Sequence, residues 1–256
     1  MSRQSSPPDT SRRPEGQQAN VTVGILGGMG PLATVDFYRK VVRDTPASTD
    51  QEHFPVVIWA DPSVPDRTQG LIGGGPDPTP WLIYGAQRLE AMGADLIATP
   101  CNTAHAFLPR VRESVSIPIL DMIVATVNHI CHLSPAVAAV GVLASEGTVQ
   151  ARLYHRQLEE AGLRVLVPDQ ASQKAQVNAS IRMVKAGNIG PETRGLIAAS
   201  ARSLAHRGAE LVIAACTEFP LILDEAGATV PVMDPTSVLA RAVINRAHTM
   251  RGLAAP

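Results

Sequence analysis

Lysine is almost missing from this sequence. Lys40, Lys174 and Lys185 are the only three in 256 residues, and arginine carries the rest of the positive charge. A mechanism that needs a lysine Schiff base has few candidate anchors here. Cysteine is equally scarce: Cys101, Cys131 and Cys216. An odd, low count at wide spacing does not match a secreted disulfide framework. Without a C-x-x-C pair, a structural zinc site is disfavoured. No apolar run reaches the roughly 20 residues of a membrane span. A formal net charge of −1 offers no field to draw nucleic acid or an anionic membrane. Residues 1–20 are polar and rich in Ser, Pro and Gln, with no apolar signal-peptide core. They read as a disordered tail, and the chain as a cytoplasmic protein. What remains is 45% apolar and 18% charged, the balance of a globular protein with a proper core.

Strand-like and helix-like segments alternate. VTVGIL (21–26) is an apolar, β-rich run ending in glycines, and PLATVDFYRKVV (31–42) has helical periodicity with proline at its first position. FPVVIWA (54–60) is the next strand, followed by a Gly- and Pro-dense loop over 63–80. A helix over 81–93, a strand over 94–99, a helix from 102 and a strand over 118–121 continue the rhythm. The expectation is an α/β fold with parallel sheets covered by helices.

The chain also repeats itself. VTVGILGGMGPLA resembles AAVGVLASEGTVQA, with Gly24 matching Gly141. GADLIATPCNTAH (93–105) resembles GAELVIAACTEFP (208–220), and SIPILD (116–121) resembles TVPVMD (229–234). The offsets are 117, 115 and 113 residues. This reads as a duplicated domain, since the period is far longer than a solenoid repeat. Two similar domains are expected, 21–125 and 126–235, related by pseudo-twofold symmetry with the active site in the cleft between them. The C-terminal helix 236–250 is left able to pack back onto the first.

The repeat bears on chemistry. Gly30 precedes Cys101 by 71 residues and Gly147 precedes Cys216 by 69. Each cysteine follows the end of a strand, where open α/β sheets bind ligands. Facing halves would bring the two thiols to one cleft from opposite sides. Racemisation removes a proton from one face of a carbon and returns one to the other, so it suits two facing bases. A free thiol ionises at about pH 8.5 and needs activation. A helix beginning just after each cysteine would supply it through its N–H groups and dipole. The same N–H groups, with Asn102, Thr103 and Thr217, suit a substrate carboxylate. Taken singly, a cysteine in an apolar run is a small core residue. It is the equivalence of Cys101 and Cys216 that favours function. Cys131 has no counterpart, and with His129 and His132 on a helical stretch it reads as structural.

Other residues carry weaker signals. Gly28-Met29-Gly30-Pro31-Leu32-Ala33 fits G-x-G-x-x-A after a strand, and Asp61 ends the next strand, as in a dinucleotide fold. The acid lies 31 residues after Gly30, beyond the usual spacing. Both glycine turns are better read as cradles for a small anion. Arg67, on the long loop, suits bidentate capture of a carboxylate, or is a solvated surface residue. Lys185, near a helix end, suits the same capture or compensates the charge of a helix C-terminus; a third reading, a cofactor anchor, has no motif behind it. His105 reads as orienting the Cys101 helix or as a packing residue. Glu218 is placed to hold a thiol, to meet a substrate ammonium, or to favour a helix start.

GILGGMGPLAT, VPDRT, PCNTAH, VKAG and CTEFPLIL together resemble the aspartate/glutamate racemase family, from about Val21 to the C-terminal helix. The resemblance implies two α/β domains, catalysis without pyridoxal phosphate or metal, and a homodimer. It implies that Cys101 and Cys216 are the two bases. Asn102, Thr103, Thr148 and Thr217 would bind the α-carboxylate region, with Met29 and Gly30 nearby. Arg67 and Lys185 match the basic residues that take the side-chain carboxylate, and Glu218 matches the aspartate-racemase form. Ala215 departs from the glycine common before the second cysteine. The expected function is interconversion of L- and D-aspartate, glutamate being second. The alternatives are a related isomerase or decarboxylase of the superfamily and a non-catalytic binder of acidic amino acids.

Overall fold

The computed structural model describes residues 20–133, 136–223 and 228–252. The tail expected over 1–20 lies outside these but for Asn20.

Two all-parallel sheets organise the chain. In the first, β1 (Val23–Gly27) lies between β2 (Val56–Ala60) and β3 (Leu96–Ala98), and one bridge adds Ile119 beside Ile97. In the second the order is β5 (Arg164–Leu166), β4 (Ala139–Ala144), β6 (Leu211–Ala215), β7 (Val232–Met233). The repeat is therefore a repeat of register. Gly24 pairs with Val57 and Ile97, and Gly141 with Leu166 and Val212. β1, β4 and β6 are buried along their whole length, which is why they read as near-continuous apolar runs rather than alternating ones.

Helices cover the sheets. α1 (Pro31–Asp44) starts on proline and buries Ala33, Phe37 and Val41, spaced four residues apart. α2 (Arg67–Ile72) and α3 (Thr79–Ala91) follow β2. The stretch expected as a loop over 63–80 thus contains a short helix, started by Asp66, whose carboxylate accepts from the Gln69 N–H at 2.9 Å.

Two expectations are corrected. No α-helix begins directly after either cysteine. Cys101 leads into a single 3₁₀ turn, Thr103–Ala106, before α4 (Leu108–Arg112), and Cys216 leads into the 3₁₀ turn Phe219–Leu221. Pro109 and Pro220 are the cause, because proline fits only the first turn of a helix and blocks one running through from further upstream. The strand expected at 118–121 shrinks to the Ile119 bridge. Asp121 already caps the next helix, α5 (Met122–Cys131), accepting from the N–H groups of Ile123 and Val124.

The second half continues with α6 (Glu146–Gln150), α7 (Leu153–Glu160), α8 (Gln170–Ser172), a π turn over Gln173–Val177, α9 (Asn178–Lys185) and α10 (Pro191–His206). The last helix is α11 (Pro235–Met250). α5 buries Ile123, Val127 and Ile130 against Val140 and Val142 of β4 and Tyr154 of α7. α11 buries Leu239, Val243 and Ile244 against Val23 and Ile25 of β1 and Phe37 of α1. Each half thus sends its final helix to the other half's sheet. Lys40 of α1 pairs with Asp36 and with Asp234, the cap of α11, and donates to Thr236 at 2.7 Å. No helix among the described residues is long and apolar enough to cross a membrane.

Candidate active site

The carboxyl ends of the central strands from both sheets face one cavity of about 500 Å³. Met29 enters it from the turn after β1, Cys101 to Thr103 from after β3, Ser145 and Glu146 from after β4, and Cys216 to Glu218 from after β6. α2 and the residue before it add Asp66, Arg67, Thr68 and Gln69, and α9 adds Asn178, Ile181, Arg182 and Lys185. Of the residues singled out from sequence, Gly30 and Thr148 do not line this cavity. Gly30 lines an adjoining one of about 430 Å³, which shares Arg67, Lys185 and Glu218 with the first. Thr148 sits one layer behind the wall.

Cys101 is buried and Cys216 half-buried. The backbone around Cys101 is tightly held. Its N–H donates to the Thr99 carbonyl at 2.8 Å, and its carbonyl lies 2.8 Å from His105 Nδ1. The Met122 N–H donates to His105 Nε2 at 3.0 Å. Nε2 is therefore the acceptor and Nδ1 the donor, the neutral tautomer. Burial pushes the His105 pKa down, in keeping with that neutral ring. His105 ties Cys101 to the start of α5, the helix that crosses to the other half.

Cys216 differs. Its Sγ donates to Glu218 Oε2 at 2.9 Å. Burial pushes its pKa well up, the adjacent Glu218 carboxylate adds to the rise, and the charge of Lys185 opposes it. Burial and Glu218 thus favour the thiol form of Cys216. The two cysteines are equivalent in the fold and unlike in their surroundings.

Three hydroxyls close the seam between the halves. Thr103 Oγ1 is 2.8 Å from Ser145 Oγ and 2.9 Å from Thr148 Oγ1, and the last two are 3.1 Å apart. Ser145 also caps α6 by accepting from the Thr148 N–H at 3.3 Å. Asn102 Oδ1 accepts from the Tyr154 hydroxyl at 2.6 Å. Thr217 is buried in the opposite wall.

Arg67 is half-buried rather than solvated. Its Nη1 donates to the Val64 and Pro65 carbonyls, each at 3.0 Å, while its buried Nε has no partner among the described residues. α2 reaches the second half at Gly147, where a β-carbon would stand 2.9 Å from Thr68 Cα. Gly28 has a local reason too. Its φ is +91°, and a β-carbon there would lie 2.4 Å from the Asp61 nitrogen. Close packing of two strand ends accounts for this glycine without a dinucleotide, and Asp61 is engaged with the Ser63 N–H at 2.8 Å.

Sequence reasoning missed Ser145, Glu146 and Tyr154. The first two had a signal: at the 117-residue offset Glu146 falls opposite Met29, and Ser145 stands where a helix cap belongs. Cys131 is exposed on α5. Among the described residues no group of three or more His, Cys, Asp or Glu is placed to hold a metal ion.

Residues 26–243 match the family described as Asp/Glu/hydantoin racemase. The broad specificity amino-acid racemase of Bacillus subtilis is 32% identical over 227 residues, 87% of this chain and 96% of that one. A glutamate racemase of Deinococcus radiodurans is 31% identical over 251 residues, 90% of this chain and 77% of that one. Among solved structures, Picrophilus torridus aspartate racemase superposes with a TM-score of 0.78 at 31% identity, covering 89% of this chain and 94% of that one. With the match spanning nearly all of both halves, the chain belongs to the Asp/Glu/hydantoin racemase family.

Proposed function

We propose that this racemase interconverts the enantiomers of an acidic amino acid, aspartate before glutamate, without a cofactor, using Cys101 and Cys216 as opposed acid and base. The carrying observation is that equivalent cysteines from two related halves line one cavity, and that among the described residues Cys216 alone of the two has a carboxylate accepting from its thiol. A two-base racemase needs unlike protonation at rest. In this reading Cys101 is the thiolate and Cys216 the thiol. Cys101 takes the α-proton, and the electron pair left on Cα spreads into the α-carboxylate. The Cys216 S–H bond then breaks and its proton joins the opposite face of Cα. The product leaves with Cys101 as thiol and Cys216 as thiolate, the state that accepts the other enantiomer.

Asn102, Thr103 and Thr217 serve the α-carboxylate, where negative charge grows as Cα is deprotonated. Thr148 acts from behind, through Thr103. Arg67 and Lys185 serve the side-chain carboxylate, with Met29 and Gly30 at the shared edge of the two cavities. Three cations line the cavity, Arg182 beside Lys185 on α9 and Arg67 on α2, and they support an acidic substrate. Names among the relatives cover aspartate, glutamate and broad specificity, so the preference rests on these residues. In this reading the protein works in the cytoplasm; its assembly as a homodimer is supported by the exposed apolar stripe of Leu32, Val35, Tyr38 and Val42 on α1. Sedimentation equilibrium at twice the monomer mass is the expected result.

The test is isotope exchange. In deuterium oxide, L-aspartate gains α-deuterium as D-aspartate appears, with no cofactor added. Cys101→Ala and Cys216→Ala each lower racemisation by about 10² to 10⁴-fold, and a single variant retains exchange on one face only. Full turnover in either variant would sink the two-base mechanism.

A further inference from the structure

Tyr154 has no place in the chemistry above, yet its setting is unusual. It is fully buried in the core of the second half, packed with Val140 and Val142 of β4. At the same 117-residue offset the first half has Phe37, fully buried and packed with Val23 and Ile25 of β1. The apolar ring fills the same place in both cores. A phenylalanine suffices in one, so packing alone does not account for the extra hydroxyl in the other. A buried hydroxyl costs free energy unless it is bonded. This one donates at 2.6 Å to Oδ1 of Asn102, a residue of the opposite half.

That bond decides which way the Asn102 amide points. With Oδ1 engaged by Tyr154, Nδ2 is the end of the amide left without a protein partner, on a residue that lines the cavity. Nδ2 is buried and has no acceptor among the described residues. An N–H donor held in such a place is ready for an anion. Resting on the racemase reading, we infer that Tyr154 is a positioning residue: its hydroxyl locks the Asn102 amide so that Nδ2 donates to the substrate's α-carboxylate. Burial pushes the Tyr154 pKa up, so the hydroxyl stays a donor throughout the working range. Without it the amide is free to flip and present Oδ1, an acceptor that repels a carboxylate. Because the charge on that carboxylate grows as Cα is deprotonated, losing the lock lowers kcat as well as raising KM.

The experiment is a double-mutant cycle read in both directions of racemisation. Tyr154→Phe removes one oxygen and keeps the ring. Its kcat/KM is expected to fall about tenfold to a hundredfold, equally for the two enantiomers. Asn102→Ala is expected to fall at least as far. The Tyr154 hydroxyl also interacts with Thr126, which does not line the cavity; its effect on substrate runs through the Asn102 amide, so the double variant should be no worse than Asn102→Ala alone. A folded Tyr154→Phe protein within twofold of wild type overturns the proposal, as does an additive double variant. Asn102→Asp keeps an acceptor for Tyr154 and removes the donor. It is expected to stay folded and lose kcat/KM, and full activity there also overturns the proposal if Tyr154→Phe fails to fold. A wild-type protein without α-deuterium exchange overturns the racemase reading and this proposal together, whereas an active wild type with a silent Tyr154→Phe overturns this proposal alone.

Discussion

At Cys216 burial and two charges compete. Burial and the Glu218 carboxylate both favour the thiol, and Lys185 favours the thiolate. The proton on Cys216 is therefore retained above the ordinary thiol range, and loss of activity on the alkaline side should lie above about pH 8.5. The two neighbours act with opposite signs. Glu218→Gln removes a negative charge, lowers the Cys216 pKa and moves the alkaline limb of kcat/KM to lower pH. Lys185→Met removes a positive charge and moves that limb to higher pH, while also weakening binding of a side-chain carboxylate. A pH–rate profile of each variant checks both, and shifts in the same direction would remove Cys216 from the role of acid. Glu218 was visible in the sequence only as one of three readings. Its two-residue spacing from Cys216 made the contact possible, but the 3₁₀ turn that brings the carboxylate back to the sulfur decided it.

At the level of elements, α2 matters most. The sequence presented residues 63–80 as a loop, because Gly73, Gly74 and Gly75 and the prolines around them drown a six-residue helix. In the fold this helix carries Arg67 and rests on the first turn of α6, where Gly147 and Thr68 are in close contact. A methyl group on Gly147 would have to push α2 outward, and Arg67 with it. Gly147→Ala is therefore expected to raise KM for aspartate several-fold while shifting Tm little, since the seat is at the cleft and not in a core. Steady-state kinetics beside a thermal melt separates the two effects. The missing helices after the cysteines carry the same lesson in reverse. Their start signals were sound, but Pro109 and Pro220 stood close enough to permit only one turn.

For the molecule as a whole, the exchange of α5 and α11 between halves makes the cleft part of the architecture. The start of α11 is pinned by the buried Lys40 with Asp36 and Asp234. Burial alone would raise the Asp234 pKa, yet Lys40 holds it below the usual carboxylate value. That contribution to stability is present above about pH 4 and is lost as pH falls through the lowered value. Lys40→Met leaves two carboxylates facing each other, and about 3–5 kcal/mol of stability should be lost at neutral pH. The gap in Tm between wild type and variant should narrow in acid, where the carboxylates protonate. An equal gap at pH 7 and pH 3.5 would mean that the cluster contributes packing rather than charge.

The sequence by itself determined the alternation of strands and helices, the duplication and the equivalence of Cys101 and Cys216. These are local or periodic properties: apolar runs set the buried strands, and repeated motifs set the register. The tertiary structure alone decided what joins the halves. Thr103 meets Ser145 across 42 residues, Asn102 meets Tyr154 across 52, and Lys40 meets Thr236 across 196. No periodicity encodes such pairs, because they depend on how two packed bodies are set against each other. The difference between the thiols has the same origin, since burial and neighbouring charge in the folded cleft set a pKa that the identity of the residue leaves open.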